Sequence, residues 1–352
     1  MGTEELIRKL HRDQTLSEEE WIQVIDGRTP KAAEYLFRLA RQVRHAYYGR
    51  DVYIRGLIEF TNFCRNDCFY CGIRRSNPHV RRYRLTEDDI LDCCRQGYGL
   101  GMRTFVLQGG EDSFFTDQRL TGLILQIKAA FPDCALTLSV GERSRASYQA
   151  FLDAGADRYL LRHETFNAGH YAKLHPAQMS AAHRQACLFD LKSIGFQTGA
   201  GFMVGSPFQE TRHLAQDMLF LKHLHPHMVG IGPFIPHRDT PFAGEKAGTL
   251  ELTLYMLGLL RLMLPDVLLP ATTALGSICD NGRELGILAG ANVVMPNLSP
   301  RCHRKDYSLY NNKLDTGAES AEGLSELARR MEQIGYRITV HRGDWRPCPD
   351  QA

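Results

Sequence analysis

The sequence predicts an α/β fold: a (β/α)8 TIM barrel with N-terminal helices and a C-terminal extension. Three observations carry this. Eight short apolar runs alternate with longer amphipathic stretches. Gly punctuates three turns where a helix should end and a strand begin, at Gly155, Gly195 and Gly290. Strands alternating with helices imply a parallel sheet, and eight is the number that closes a barrel. An open doubly wound sheet, or a six-unit partial barrel, is the alternative.

The elements follow in order. Residues 1–50 read as helical. Ser17 followed by Glu18, Glu19 and Glu20 is a cap residue with acids in the first turn. Pro30 suits the first position of another helix, running to about Tyr47. The predicted strands are Val52–Phe60, Thr104–Gln108, Ala135–Val140, Arg158–Leu161, Thr198–Val204, Met228–Pro233, Val267–Ala271 and Asn292–Met295. A helix starting at Thr86 and others over Thr116–Ala130, Ser144–Ala154, Ser180–Ile194, Gln209–Leu224, Leu250–Leu264 and Arg283–Ala289 fill the gaps. Residues 51–299 thus form the barrel. Residues 300–352 lack the alternation and read as an extension over it, with one helix at Ala321–Ile334.

Composition narrows the function. The chain has 352 residues, 43% hydrophobic and 23% charged, which is ordinary for a globular protein and excludes wholesale disorder. Net charge is +2, which gives no support to bulk polyanion binding. The arginines at 74, 75, 81, 82 and 84 read as a solvated face, so no nucleic-acid partner is expected. No apolar run approaches the roughly 18 residues of a membrane span. The opening MGTEELIRKLHRDQ lacks a signal-peptide core, so a cytoplasmic location is expected.

Of ten cysteines, three fall within eight residues: Cys64, Cys68 and Cys71, spaced CxxxCxxC in the loop after the first barrel strand. Active sites of barrels sit at that end of the strands. Three thiolates are one short of a closed zinc site or a fully ligated [4Fe–4S] cluster. A cubane on three Cys leaves one iron open; a zinc loop would need Cys93, Cys94 or His79 as fourth ligand. Further along, Arg162 and Glu164 alternate to one side at the mouth of the fourth strand, where unpaired charge is costly. A guanidinium there suits a carboxylate, and Glu164 suits an ammonium or ribose hydroxyls. Arg184, early in the next helix, could complete the clamp. Gln108-Gly109-Gly110-Glu111-Asp112 closes the second strand, and glycine-rich stretches occupy 199–205 and 230–232.

The cysteine spacing, with Tyr70 just before the last Cys, resembles the radical S-adenosylmethionine (SAM) superfamily. Gln108–Asp112 resembles its glycine-glycine-glutamate segment, and Gly199–Gly205 its adenine-passing strand. Five segments in order narrow the resemblance: Glu59–Asn62, Tyr159–Thr165, Val229–His237, Pro270–Ala274 and Gly290–Asn297 look like the HydE family of [FeFe]-hydrogenase maturases. That resemblance implies one [4Fe–4S] cluster on Cys64, Cys68 and Cys71, and reductive cleavage of SAM to a 5′-deoxyadenosyl radical. It implies SAM-facing positions at Tyr70, Gln108, Glu164 and Arg184, with Arg162 and Glu164 catalytic. It implies a substrate cavity lined by Thr137, Met228, Thr272, Thr273, Tyr307 and Tyr310. The substrate would be a small sulfur- or cysteine-bearing iron precursor of the H-cluster dithiomethylamine ligand. Partners would be a ferredoxin- or flavodoxin-type reductant and other hydrogenase maturases. Some HydE proteins carry a second cysteine trio after the segment matching Tyr310; here Asn311–Ala318 has none, so a second cluster is not expected.

Other readings share some of these residues. A methylornithine-synthase-like mutase has the same loop and barrel; the tyrosine-rich 303–310 stretch and the Thr272-Thr273 pair favour HydE. A biotin-synthase-like enzyme needs interior cysteines that the eight strands lack. An iron–sulfur carrier or scaffold would not need Arg162 and Glu164.

Overall fold

A computed structural model describes residues 1–347; residues 348–352, with Cys348 and the end of the predicted extension, lie outside the described residues. Three N-terminal helices come first, α1 (Thr3–Asp13), α2 (Glu18–Asp26) and α3 (Pro30–Tyr48). Ser17 caps α2 reciprocally: its Oγ accepts from Glu20 N at 3.3 Å, and the Glu20 carboxylate accepts from Ser17 N at 3.0 Å. Thr29 caps α3, with Pro30 at the first position as expected. These helices pack on the flank of the barrel, against the helices Thr211–Leu224 and Leu250–Met263. Trp21, Val24 and Leu36 share one apolar core with the barrel.

The strands are β1 (Asp51–Ile54), β2 (Gly56–Thr61), β3 (Thr104–Gly109), β4 (Ala135–Ser139), β5 (Arg158–Leu160), β6 (Gln197–Ala200), β7 (Met203–Val204), β8 (Met228–Val229), β9 (Gly232–Pro233), β10 (Val293–Val294) and β11 (Arg337–Thr339). β2, β3, β4, β5, β6 and β8 pair in parallel in that order. The ring closes through 267–271: Val229 N donates to Leu268 O at 3.0 Å, and Ala271 N to Val293 O at 2.9 Å. β10 returns to β1, where Tyr53 N donates to Asn292 O and Arg55 N to Val294 O, both at 3.0 Å. The architecture is therefore the expected eight-stave barrel. Gly155, Gly195 and Gly290 all adopt positive φ at their helix-to-strand turns, +104°, +110° and +118°.

Several elements differ from expectation. The predicted first strand breaks at Arg55 into β1 and β2, and the predicted fifth and sixth each break in the middle, giving β6 and β7, then β8 and β9. At the break in the fifth and sixth strands the backbones come close at Gly201, where a β-carbon would lie 2.0 Å from the Gly230 carbonyl oxygen, so only glycine fits. The helix expected from Gln209 begins at Thr211, and short helices Ala168–Leu174 and Thr273–Ile278 fill what read as loops. The extension covers both ends of the barrel rather than one. Residues 307–313 close over the cysteine end: Gly72 N donates to Leu309 O at 2.9 Å and Asn311 N to Pro236 O at 3.1 Å. Past the helix Leu324–Gln333, β11 pairs with β1 at the other end. There Asp344 meets the buried Arg158 guanidinium at 2.6 Å.

Candidate active site

The cysteine loop leaves β2 and is tied down by its own backbone. Arg82 donates to the carbonyls of Asn62 (2.5 Å), Ile73 (2.8 Å) and Arg74 (2.6 Å). Asp67 accepts from Arg74 Nε at 2.8 Å and from Ser76. Behind the loop, Gly110 lies so close that a β-carbon would meet Phe63 O at 2.2 Å and Cys64 Cβ at 2.7 Å. Only glycine fits there. Burial raises all three thiols, Cys71 to about 12; the neighbouring thiolates add to it for Cys68 and Cys71, and Glu111 for Cys64. Holding three thiolates together here requires a cationic centre among them.

One cavity of about 350 Å3 opens onto this loop. It brings together Cys64, Cys68 and Cys71 with Tyr70, Gln108, Arg162, Glu164 and Arg184, and further in with Thr272, Thr273, Tyr307 and Tyr310. Thr137 and Met228 are not brought to its wall. Thr137 is buried inside β4, and Met228 packs with Tyr48, Tyr53 and Leu268, its sulfur 2.9 Å from Arg55 Nη1. The register explains this. Thr137 is the middle residue of β4, level with Arg158 at the start of β5, and Met228 opens β8. A second hollow of about 360 Å3 lies on the extension among Arg301, Arg304 and Glu322, away from the cysteines. Its Arg304 is already neutralised by Glu322 at 2.9 Å, so it lacks the unmatched groups of the first.

Charge in the cavity is unevenly matched. Arg162 Nη2 approaches Glu164 Oε2 at 3.1 Å, but neither atom has a hydrogen-bond partner of acceptable geometry. Both are buried, so a bound polar group has donors and an acceptor waiting. Arg184 is placed differently from the expected free clamp. Its Nε is held by Glu142, its Nη1 donates to the Arg162 carbonyl at 3.1 Å, and Glu111 lies 3.8 Å away. Burial works against that charge, but Glu142 and Glu111 hold it on. Arg184 therefore braces the segment that carries Arg162. Tyr70 is fixed by a relay: its hydroxyl lies 3.1 Å from His175 Nε2, while His175 Nδ1 lies 3.0 Å from Tyr171 O. Burial lowers His175 to about 3, so the ring is neutral. Nδ1–H donates to the carbonyl, and Nε2 accepts from the phenol.

Sequence reasoning assigned no side-chain role to four residues here. Glu111 and Glu142 hold Arg184, and Glu59 pairs with Lys313 at 2.5 Å across the cavity. A signal existed for Glu59, an acid inside an apolar strand that must find a partner, and for Glu142, a second Gly-Glu step after a strand. Cys93 and Cys94, candidate zinc ligands, belong to the apolar core. Cys64, Cys68 and Cys71 share one cavity without converging on a single ion position, and among the described residues no other three His, Cys, Asp or Glu side chains do so either.

Comparison with known proteins places this geometry. The radical SAM superfamily model matches residues 58–221. The [FeFe] hydrogenase maturase subunit HydE of Thermotoga maritima is 45% identical over 304 residues, 86% of each chain. The chain belongs to the HydE family of radical SAM enzymes. A HydE-family enzyme implies a [4Fe–4S] cluster and SAM, and the residues here fit both: three thiols on one cavity, a glycine-walled loop, and unmatched Arg162 and Glu164 atoms. The 3-methylornithine synthase of Methanosarcina barkeri is 28% identical over 315 residues, 86% of this chain and 85% of that one. The crystal structure of methylornithine synthase superposes with a TM-score of 0.83 at 25% identity, covering 95% of this HydE-family chain and 97% of that one. Among the described residues, no helix is long and apolar enough to cross a membrane.

Proposed function

We propose that this enzyme acts on a small sulfur- or cysteine-bearing iron precursor during assembly of the dithiomethylamine ligand of the [FeFe]-hydrogenase H-cluster. When bound, the cluster and SAM supply a 5′-deoxyadenosyl radical by one-electron reductive cleavage. The chain's own residues do the rest. Cys64, Cys68 and Cys71 would hold the cluster. Glu164 accepts hydrogen bonds from the SAM ammonium or ribose, and Tyr70 and Gln108 shape the adjoining wall. Arg162 receives a carboxylate, its unpartnered nitrogens being the donors. Deeper in, Thr272 and Thr273 offer hydroxyls to a substrate anion.

The observation that carries this reading is the Thr272 Oγ1. It is buried, has no hydrogen-bond partner, and lines the same cavity as the three thiols. An unmatched buried hydroxyl on a cavity wall is a place for a polar group of a small substrate. Apolar neighbours such as Leu57, Leu161 and Pro270 complete the wall. A ferredoxin- or flavodoxin-type protein would supply the electron, and other hydrogenase maturases would deliver or receive the precursor. A methylornithine-forming mutase is the second reading, supported by the 28% identical synthase.

The test uses cluster-loaded enzyme, SAM and a low-potential reductant. 5′-Deoxyadenosine should form slowly alone. A thiol- or thioether-bearing small molecule should divert the product to an adenosyl–sulfur adduct. Thr272→Val with Thr273→Val should keep SAM cleavage and lose the adduct. Undiminished adduct in that double variant would remove the cavity assignment.

A further inference from the structure

Glu164 is strained. Its φ is +66°, in the left-handed region that a β-carbon disfavours, and it is the one such non-glycine residue, among those described, that lines the cavity. Such a conformation persists only where its surroundings fix it. Glu164 N donates to Gly201 O at 3.0 Å, and Glu164 O accepts from Met203 N at 3.4 Å. The residues around it hang on a single carboxylate. Asp217, on the helix Thr211–Leu224, accepts from Phe166 N at 2.6 Å through Oδ1. The same Oδ1 lies 3.2 Å from His163 Nε2. On the other side of that ring, Gly201 N donates to His163 Nδ1 at 3.3 Å. Nδ1 is thus the acceptor, and Nε2–H donates to Asp217. Gly201 is tied to the next strand on its other side, where Gly230 N donates to Ala200 O at 2.9 Å and a β-carbon on Gly201 would lie 2.0 Å from the Gly230 carbonyl oxygen.

We infer that the His163–Asp217 pair is a positioning device that holds Glu164 in its left-handed conformation, with the carboxylate turned into the cavity. Both side chains are fully buried and neither lines the cavity, so they act through Glu164 and not on the ligand. The inference rests on the reading of Glu164 as a SAM-binding residue. His163 packs between Phe202 and Phe220, ring centroids 5.9 and 4.8 Å away, so a phenylalanine would fill its place while cutting both hydrogen bonds.

The experiment measures SAM affinity in the anaerobic, cluster-loaded full chain, read by the change SAM makes in the EPR spectrum of the reduced cluster. His163→Phe should weaken SAM about tenfold with iron content unchanged, the scale of one lost orienting interaction. Asp217→Asn, which keeps an acceptor at Oδ1, should stay within about twofold of wild type. In a Glu164→Gln background, His163→Phe should cost less than about twofold more, because the group it positions is already disabled. Equal losses in both backgrounds, loss of cluster iron in His163→Phe, or no loss at all would overturn the inference. If Glu164→Gln binds SAM like wild type, the SAM reading of Glu164 falls and the inference with it. If Glu164→Gln weakens SAM and His163→Phe does not, the inference alone falls.

Discussion

Glu164 and Arg162 face the cavity with atoms that no protein group satisfies, while the neighbouring Arg184 is held by Glu142 and the Arg162 carbonyl, with Glu111 3.8 Å away. The two kinds of residue should respond differently to mutation. Glu164→Gln removes a charge-assisted hydrogen bond worth roughly 1.5–3 kcal/mol, or about tenfold to a hundredfold in SAM affinity. Arg184→Ala should also weaken SAM, through loss of the contact that braces Arg162, and Glu142→Gln should reproduce part of that effect. Equilibrium binding with iron content measured in parallel checks all three: cluster retained, affinity reduced. The cysteines were legible in the sequence because their spacing is local. Glu142 and Arg184 are 42 positions apart and Glu59 and Lys313 are 254 apart, so no window along the chain shows those pairs.

The segment 307–313 is the element that turns an open barrel mouth into a cavity. Its latch is Lys313, whose Nζ meets the fully buried Glu59 at 2.5 Å and also donates to Tyr307 O at 3.1 Å. Asn297 Nδ2 satisfies the other Glu59 oxygen at 2.8 Å. Lys313→Met leaves a carboxylate buried without its counter-charge, a loss of about 3–5 kcal/mol. Chemical denaturation should show that loss, and Glu59→Gln combined with Lys313→Met should recover most of it. No recovery would mean that the pair is not what seats the segment. Caps and periodicity made most helices legible: Ser17, Thr29, Thr86, Thr116, Ser144 and Ser180 each cap the helix expected after them. The breaks in the fifth and sixth strands were hidden, since Gly201 meets Gly230 only once the sheet has curved. β11 was hidden too, because Arg337–Thr339 becomes a strand only by pairing with β1.

At the scale of the whole molecule, the buried His170 and His175 and the half-buried His227 tie stability to pH. Burial lowers His170 and His227 to about 4 and His175 to about 3. In the unfolded chain they protonate from about 6.5 downward, while in the folded chain they stay neutral. The unfolded state therefore binds more protons across this window, and stability falls as pH drops from about 6.5 towards 4. Each histidine contributes up to roughly 1.4 kcal/mol per pH unit. Melting between pH 7.5 and 5 should show the decline. His227→Gln, remote from the cysteines, should make it shallower; an unchanged slope would exclude His227 as a source.

The barrel, the cysteine loop and the substrate cavity together serve one activity, and maturation of an [FeFe]-hydrogenase measures it most directly. The anaerobically reconstituted enzyme should carry one [4Fe–4S] cluster. Mixed with SAM, reductant, the iron precursor and the partner maturases, it should bring an apo-hydrogenase to hydrogen-evolving activity. Cys64→Ala with Cys68→Ala and Cys71→Ala should abolish both cluster and maturation. Failure of the intact, cluster-loaded enzyme to mature the hydrogenase, with conversion of lysine to methylornithine under the same conditions, would contradict the account.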